Sequence, residues 1–221
     1  MSPLNQIEAA PDLTEKVYES ILEAICSTQL FPETRLTQQA LAESLNVSRQ
    51  PVLQALRLLR KDGFVVDSGR RGLMVSPINP NFIRQTYQVR SVLDGLAARE
   101  AAKRDARLND ELILSGRKAA ASGKISEMIK ADLFFHQQIY DISENEMIRE
   151  TASFHWQHIR RAMGAVLVKL DDTDRIWDEH EEILSAINKG LSKDAETLAR
   201  NHGENAGESL ATALSRGVFN K

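Results

Sequence analysis

The sequence predicts a mainly α-helical protein, in which a small domain of three helices and one hairpin precedes an all-α bundle. Apolar residues recur at helical spacing through most of the 221 residues. Two short apolar runs, at 64–66 and 73–75, flank a turn of glycine and arginine, as the strands of a hairpin do. No proline follows Pro80, so helices in the second part of the chain are not interrupted by proline.

Apolar spacing and capping residues predict the three helices that precede the hairpin. Residues 14–30 form the first helix because their apolar side chains fall on one helical face. Thr37 caps a second helix that ends at residue 45, and Ser48 caps a third that runs to about residue 61. A two-residue turn joins these last two helices. A helix pair with so short a turn, followed by a hairpin, is typical of a winged helix-turn-helix domain.

The third helix and the hairpin tip carry the candidate DNA contacts. The first turn of a reading helix meets base edges in the major groove, where arginine can pair with guanine and glutamine with adenine. Between residues 48 and 72, six basic residues stand against two acidic ones, although the whole chain has a net charge of −3. The alternative is that these arginines only solvate a helical surface. The predicted DNA-binding residues are Ser48, Arg49, Gln50, Arg70, Arg71 and Gly72.

The stretch around Pro77 and Pro80 predicts the domain boundary, since two prolines in four residues prevent a continuous helix. We expect a winged helix-turn-helix domain at 1–76, a linker at 77–81 and a helical domain at 82–221. Short breaks divide the helical domain into about six helices. The breaks lie near residues 105–109, 122–124, 143–145, 171–173 and 189–192.

Composition excludes several classes of protein. No apolar run approaches the roughly 18 residues that a spanning helix needs, so we expect no membrane insertion. The N-terminal residues lack the basic start and apolar run of a secretory signal. The single cysteine cannot form an intrachain disulfide. These features predict a cytoplasmic protein.

Three of the five histidines are predicted to point into the bundle from different helices. Asp132 and His136 are four residues apart and therefore share a helical face. His180 and His202 each lie within the apolar stripe of a later helix. Buried polar groups are costly unless they are paired or bind a metal. Three imidazoles and a carboxylate suit a first-row divalent ion, zinc or nickel foremost. The alternative is three satisfied core histidines.

Two features next to the candidate metal ligands are interpreted without a functional role. Glu179 flanks His180, but together with the acidic residues at 181 and 182 it is predicted to lie on a solvated face. Phe134 and Phe135 are predicted to belong to the core.

The N-terminal residues resemble the DNA-binding domain of the GntR family of bacterial transcription regulators. The matching stretch is LTQQALAESLNVSRQPVLQALRLLRKDGFVV, followed by GRRGLMV. Two positions depart from the family pattern, because Gln39 and Leu53 stand where arginines often contact the operator. The resemblance implies DNA binding, and the departures imply an operator that differs from the usual one.

The C-terminal residues resemble the FadR C-terminal (FCD) domain of one large GntR subfamily. The matching segments are DLFFHQQIYDISENEMI, EHEEILSAINKG and DAETLARNHGENA. The resemblance implies that Asp132, His136, His180 and His202 are the four metal ligands. It also implies that Arg90 faces the effector cavity and meets a carboxylate, although Arg90 could instead pair with Asp94 or reach solvent.

Together these features predict a ligand-responsive transcription regulator that represses a metabolic operon. We expect a homodimer on a palindromic operator, since helix-turn-helix proteins use two-fold symmetry to read a longer site. The effector is expected to be a small carboxylate bound near the metal. A metal-dependent hydrolase is an alternative, but no general-base or oxyanion motif supports it, so we predict no enzyme activity. A purely structural metal is a further alternative.

Overall fold

A computed structural model describes residues 13–69, 72–104, 107–166 and 173–216. The chain divides into two compact units, with the boundary between Pro77 and Ile78. The first unit combines helices with a small sheet, and in the described residues of the second unit all regular structure is helical. The predicted fold class is confirmed.

The N-terminal unit packs three helices against a three-stranded sheet. The strand order is β1-β3-β2, and both pairings are antiparallel, with Leu36 opposite Leu73 and Val65 opposite Val75. Apolar side chains from all three helices and the sheet fill one core. The elements are α1 (Leu13–Cys26), β1 (Arg35–Leu36), α2 (Gln38–Leu45), α3 (Arg49–Lys61), β2 (Val65–Asp67) and β3 (Leu73–Val75).

Local chemistry explains the tight turn between α2 and α3. The Thr37 hydroxyl accepts a hydrogen bond from the Ala40 amide at 3.2 Å, which caps α2 as predicted. Asn46 ends α2 with a φ of 51°, a left-handed conformation that asparagine tolerates better than most residues. Ser48 then starts α3 from an extended backbone.

Two details of this unit differ from the prediction. Helix α1 ends at Cys26 rather than at residue 30, because Thr28 has a φ of 60° and the Leu30 amide donates back to the Ala24 carbonyl. Strand β1 was not predicted at all, since two residues are too few to show an alternating pattern.

The C-terminal unit contains six helices within its described residues, and the breaks predicted near 122–124, 143–145 and 189–192 each separate two of them. Most of the break predicted near 171–173 and the first part of the one predicted near 105–109 lie outside the described residues. Helix α4 begins at Pro80, inside the stretch expected to be linker. The Asn79 side chain accepts hydrogen bonds from the amides of Asn81 and Phe82, and proline fits the first helical position because its missing N–H needs no partner there. The helices are α4 (Pro80–Ala101), α5 (Glu111–Ala121), α6 (Ile125–Ser143), α7 (Glu146–Val166), α8 (Thr173–Asn188) and α9 (Ser192–Ser215).

Small residues allow α4 and α9 to approach closely along their length. A Cβ on Gly203 would lie 2.9 Å from the Cβ of Ser91, and a Cβ on Gly207 would overlap the Tyr87 side chain. This close packing sets polar residues of α4 beside His202 of α9. Among the described residues, no helix has both the length and the apolar character needed to cross a membrane.

Candidate metal centre and nucleic-acid interface

Four side chains from three helices converge in the middle of the C-terminal unit. Asp132 and His136 come from α6, His180 from α8 and His202 from α9. Each offers one ligand atom, and these atoms all lie within 4.8 Å of one another. All four residues are buried. The residues predicted as metal ligands are therefore brought together.

Helical spacing explains how the cluster forms. Asp132 and His136 are one turn apart on the face of α6 that also buries Ile129 and Ile139. His180 is fully buried, with its ring centroid 4.2 Å from that of Phe135. Phe135 is core as predicted, whereas Phe134 is exposed, because it points away from the buried face of α6.

The ligand atoms face one another at short range. Nε2 of His180 lies 3.1 Å from Nε2 of His202 and 3.6 Å from Oδ1 of Asp132. Nε2 of His136 lies 3.9 Å from the same carboxylate oxygen. Three imidazole nitrogens and one carboxylate oxygen thus surround a common point, and this donor set fits a first-row divalent cation.

Burial favours the neutral, ligating form of the imidazoles. Desolvation, together with the charges of Arg90 and of neighbouring histidines, lowers the pKa of His136 and of His180 well below the usual histidine range. Burial raises the pKa of Asp132, and Arg90 opposes this effect. Neutral histidine is the form that binds a metal, so these two ligands need to lose no proton at pH 7.

Carboxylates lie near the outer ring nitrogens of two candidate ligands. Oε2 of Glu179 lies 2.7 Å from Nδ1 of His202, and Oδ1 of Asp94 lies 3.8 Å from Nδ1 of His136. The prediction that Glu179 lies on a solvated face is wrong, because α8 turns this residue toward α9. The sequence carries one signal for this contact, the position of Glu179 directly before the candidate ligand His180.

Arg90 is buried against this cluster. Its Nε lies 3.2 Å from Oδ2 of Asp94, and Tyr140 donates a hydrogen bond to the other oxygen of that carboxylate. Burial opposes the charge on Arg90, but Asp94 and nearby tyrosines raise its pKa above the usual range. Nε and Nη2 of Arg90 are buried, and neither makes a hydrogen bond to a described residue. Arg90 therefore pairs with Asp94 and still has an unsatisfied donor.

A cavity of about 90 Å³ lies against the cluster. Arg90 and three of the four candidate ligands, Asp132, His136 and His202, contribute to its wall. Apolar side chains of α7, α8 and α9 and further charged and polar side chains, Asp94, Arg175 and Glu179 among them, form the rest. The fully buried His180 does not line it. The ligand cluster thus has one side open to a space that a small molecule could enter.

The candidate nucleic-acid interface lies at the start of α3. Ser48, Arg49 and Gln50 are all exposed. Ser48 occupies the N-cap position, but its side chain makes no capping hydrogen bond. The first amides of α3 and this hydroxyl can therefore face a phosphate, while Arg49 and Gln50 project from the first turn.

The hairpin places Gly72 directly before β3, where its carbonyl accepts a hydrogen bond from the Ser68 amide at 2.9 Å. Arg70 and Arg71, the other predicted wing contacts, lie outside the described residues. Arg35 of β1, which was not predicted, is exposed, and its guanidinium lies close to Gly72. Arg35 thus adds a cationic side chain beside the wing.

The two departures in the N-terminal motif have different surroundings. The side-chain amide of Gln39 donates to the Glu43 carboxylate at 3.0 Å on the exposed face of α2. Leu53 is partly buried on α3. Because both side chains are uncharged, neither position adds a positive charge near the start of α3.

Two protein-family models match the chain. Residues 13–75 match the bacterial regulatory proteins of the gntR family, and residues 85–205 match the FCD domain. These ranges fall on either side of the boundary between the two compact units.

Individual proteins of known name are similar over most of the chain. The HTH-type transcriptional regulator LutR of Bacillus subtilis is 30% identical over 86% of this chain and 97% of its own length. The HTH-type transcriptional repressor RspR of Escherichia coli is 22% identical, over 95% and 94%. The solved structure of E. coli McbR/YncC superposes with a TM-score of 0.74 at 17% identity, over 94% and 99%, which supports the fold.

Proposed function

Because the chain belongs to the gntR family of bacterial regulatory proteins and carries an FCD domain, we propose that it represses a metabolic operon under the control of a small carboxylate. It is a DNA-binding transcription regulator and not an enzyme. The repressor role is supported by the similarity to RspR, a transcriptional repressor that matches nearly the whole chain.

A divalent metal, zinc or nickel, is the proposed cofactor of the C-terminal unit. Asp132, His136, His180 and His202 would hold it through the four atoms that converge within 4.8 Å. When bound, the cation supplies a positive centre that attracts an anionic group. The cavity wall formally carries three carboxylates, of Asp94, Asp132 and Glu179, against the guanidiniums of Arg90 and Arg175. A divalent cation would change this excess of negative charge into an excess of positive charge.

The observation that carries the effector proposal is the unsatisfied donor of Arg90 beside the cavity. A buried guanidinium nitrogen without a partner costs free energy, and a carboxylate is the acceptor that guanidinium binds best. The small cavity volume favours an acid of few carbons. A purely structural metal would not need ligands that line a cavity, so the geometry favours an effector role for the site.

Control of DNA binding follows from linkage between the two units. Arg90 and Asp94 lie on α4, which begins at Pro80 directly after the unit boundary. We expect the carboxylate to bind one conformational state better than the other and so to change DNA affinity. The reciprocal effect of DNA on effector affinity must then be equal in size.

A homodimer on a palindromic operator is the proposed assembly. One reading helix contacts too few bases for a unique address, so two-fold symmetry is needed. Helix α4 exposes Phe82, Val89 and Val92 on one face, an apolar surface of the kind that a second copy could cover.

Promoter capture followed by operator titration tests this function. The purified, metal-loaded protein should protect one or a few promoters, and Arg49→Ala should weaken operator binding by about 1–3 kcal/mol. A panel of small mono- and dicarboxylates should contain one that changes operator affinity by roughly 5–150-fold. Arg90→Gln should bind the operator but lose this response.

Arg84→Gln is the matched control for the effector assay. Arg84 lies on the same helix, but it pairs with Glu208 at the surface, so its variant should respond as the wild type does. An undiminished carboxylate response in Arg90→Gln, or in metal-stripped protein, would contradict the proposed effector site.

A further inference from the structure

Glu179 makes a close contact to a candidate ligand. Its Oε2 lies 2.7 Å from Nδ1 of His202, a distance typical of a strong charge-assisted hydrogen bond. An ionised carboxylate can only accept, so the ring proton of His202 belongs on Nδ1. His202 is 6% exposed and the Glu179 side chain 24% exposed, so water competes little for this hydrogen bond.

Arg175 holds Glu179 from the opposite side. Nη1 of Arg175 lies 3.1 Å from Oε1 of Glu179, whereas His202 uses Oε2, so the two partners do not compete for one oxygen. Arg175 lies four residues before Glu179 on α8, and side chains at this spacing are neighbours on the surface of a helix. The carboxylate is thereby oriented toward α9.

The hydrogen bond at Nδ1 determines whether the opposite ring nitrogen of His202, Nε2, carries a proton or a lone pair. A neutral imidazole carries one N–H, so with the proton on Nδ1 the Nε2 atom of His202 presents a lone pair. This Nε2 faces the cluster, 3.1 Å from Nε2 of His180. A bare Nε2 aimed at the cluster is the state in which histidine binds a metal.

Asp94 does not serve His136 in the same way. Its Oδ1 lies 3.8 Å from Nδ1 of His136, beyond hydrogen-bond distance, and its two oxygens face Tyr140 and Arg90. Of the two carboxylates near the outer ring nitrogens, only Glu179 is in a position to fix a tautomer.

From this geometry we propose that Glu179 is a positioning residue of the metal centre, which holds His202 as the Nδ1–H tautomer and so makes Nε2 its ligating atom. The inference rests on the metal site proposed above. Hydrogen-bond partners of ligating histidines contribute roughly 10–100-fold to metal affinity.

Metal competition with a coloured chelator, using zinc and then nickel, tests the proposal. Glu179→Ala should weaken metal binding by roughly 10–100-fold. Glu179→Gln should lose less, because its carboxamide oxygen still accepts from Nδ1–H. Glu182→Ala is the matched control, since Glu182 is exposed on the same helix and should leave metal affinity unchanged.

Nitrogen-15 NMR of the metal-free protein gives a readout that a loss of packing alone would not change. His202 should show a single Nδ1–H tautomer in the wild type and in Glu179→Gln, and a mixture of tautomers in a folded Glu179→Ala variant. The proposal is overturned if Glu179→Ala retains either the wild-type tautomer or the wild-type metal affinity. If the wild type binds neither metal, the proposed metal site fails, while the tautomer experiment still decides the role of Glu179.

Discussion

The three histidines of the cluster differ in the group that lies beside the outer ring nitrogen, Nδ1. Nδ1 of His202 contacts Glu179, and Nδ1 of His136 lies near Asp94. Nδ1 of His180 is buried without a hydrogen-bond partner among the described residues, while its ring packs against Phe135 and Trp177. Aromatic packing therefore holds the outer side of the His180 ring, while Nε2 on the other side lies within hydrogen-bond distance of Nε2 of His202, at 3.1 Å.

The lowered pKa values of His136 and His180 predict how the metal-free protein responds to pH. The unfolded chain takes up protons on these residues near pH 6.5, whereas the folded protein takes them up only at lower pH. The unfolded state thus binds more protons in this window, and the free energy of unfolding should fall as pH decreases from 7.5 to 5.5. Urea unfolding of chelator-treated protein measures this slope.

Two variants test the source of that slope. His136→Gln removes one of the two groups and should flatten the pH dependence. His180→Gln removes the other group and should flatten it likewise. An unfolding free energy that is constant across the window in the wild type would show that burial does not hold these histidines neutral.

At the scale of helices and strands, the spacing of residues was enough to predict their positions where an element has a long, half-buried face. Asp132 and His136 could be assigned to the inner face of α6 because four-residue spacing defines a face regardless of tertiary context. The contact between Glu179 and His202 could not be predicted in this way, since it depends on how α8 is rotated relative to α9. Strand β1 exists only through its pairing with β3, and no local pattern in two residues reveals such a partner.

The close approach of α4 and α9 yields a prediction at this scale. A Cβ at Gly207 would overlap the buried Tyr87 side chain, so Gly207→Ala must push the two helices apart. Overpacking costs about 1–3 kcal/mol, while alanine gains about 1 kcal/mol in helix propensity. We expect a net loss of up to about 2 kcal/mol by denaturant unfolding.

Asn201→Ala is the control for this substitution. Asn201 is exposed on the same helix, so its variant should be as stable as the wild type or slightly more stable. A Gly207→Ala protein that is more stable than the wild type would mean that the helices are packed less closely than the structure has them.

At the scale of the whole molecule, the proposed regulation uses two reading heads, one from each copy of a homodimer. Light scattering at micromolar concentration should give the mass of a dimer, twice the 24.7 kDa of the chain. Val89→Glu on the exposed face of α4 should weaken this dimer, because a charge would be buried in an apolar contact. Leu114→Glu, at an exposed apolar residue of α5, should not. A monomer with and without operator DNA would rule out the proposed assembly.

The proposed regulation by a carboxylate depends first on whether the four converging side chains bind a metal. Elemental analysis of untagged protein, purified without chelator and incubated with zinc, nickel or manganese before gel filtration, measures this directly. We predict about one ion per chain in the wild type and in His158→Ala, and none in His180→Ala. A wild-type protein that carries no metal after all three incubations would contradict the proposed site.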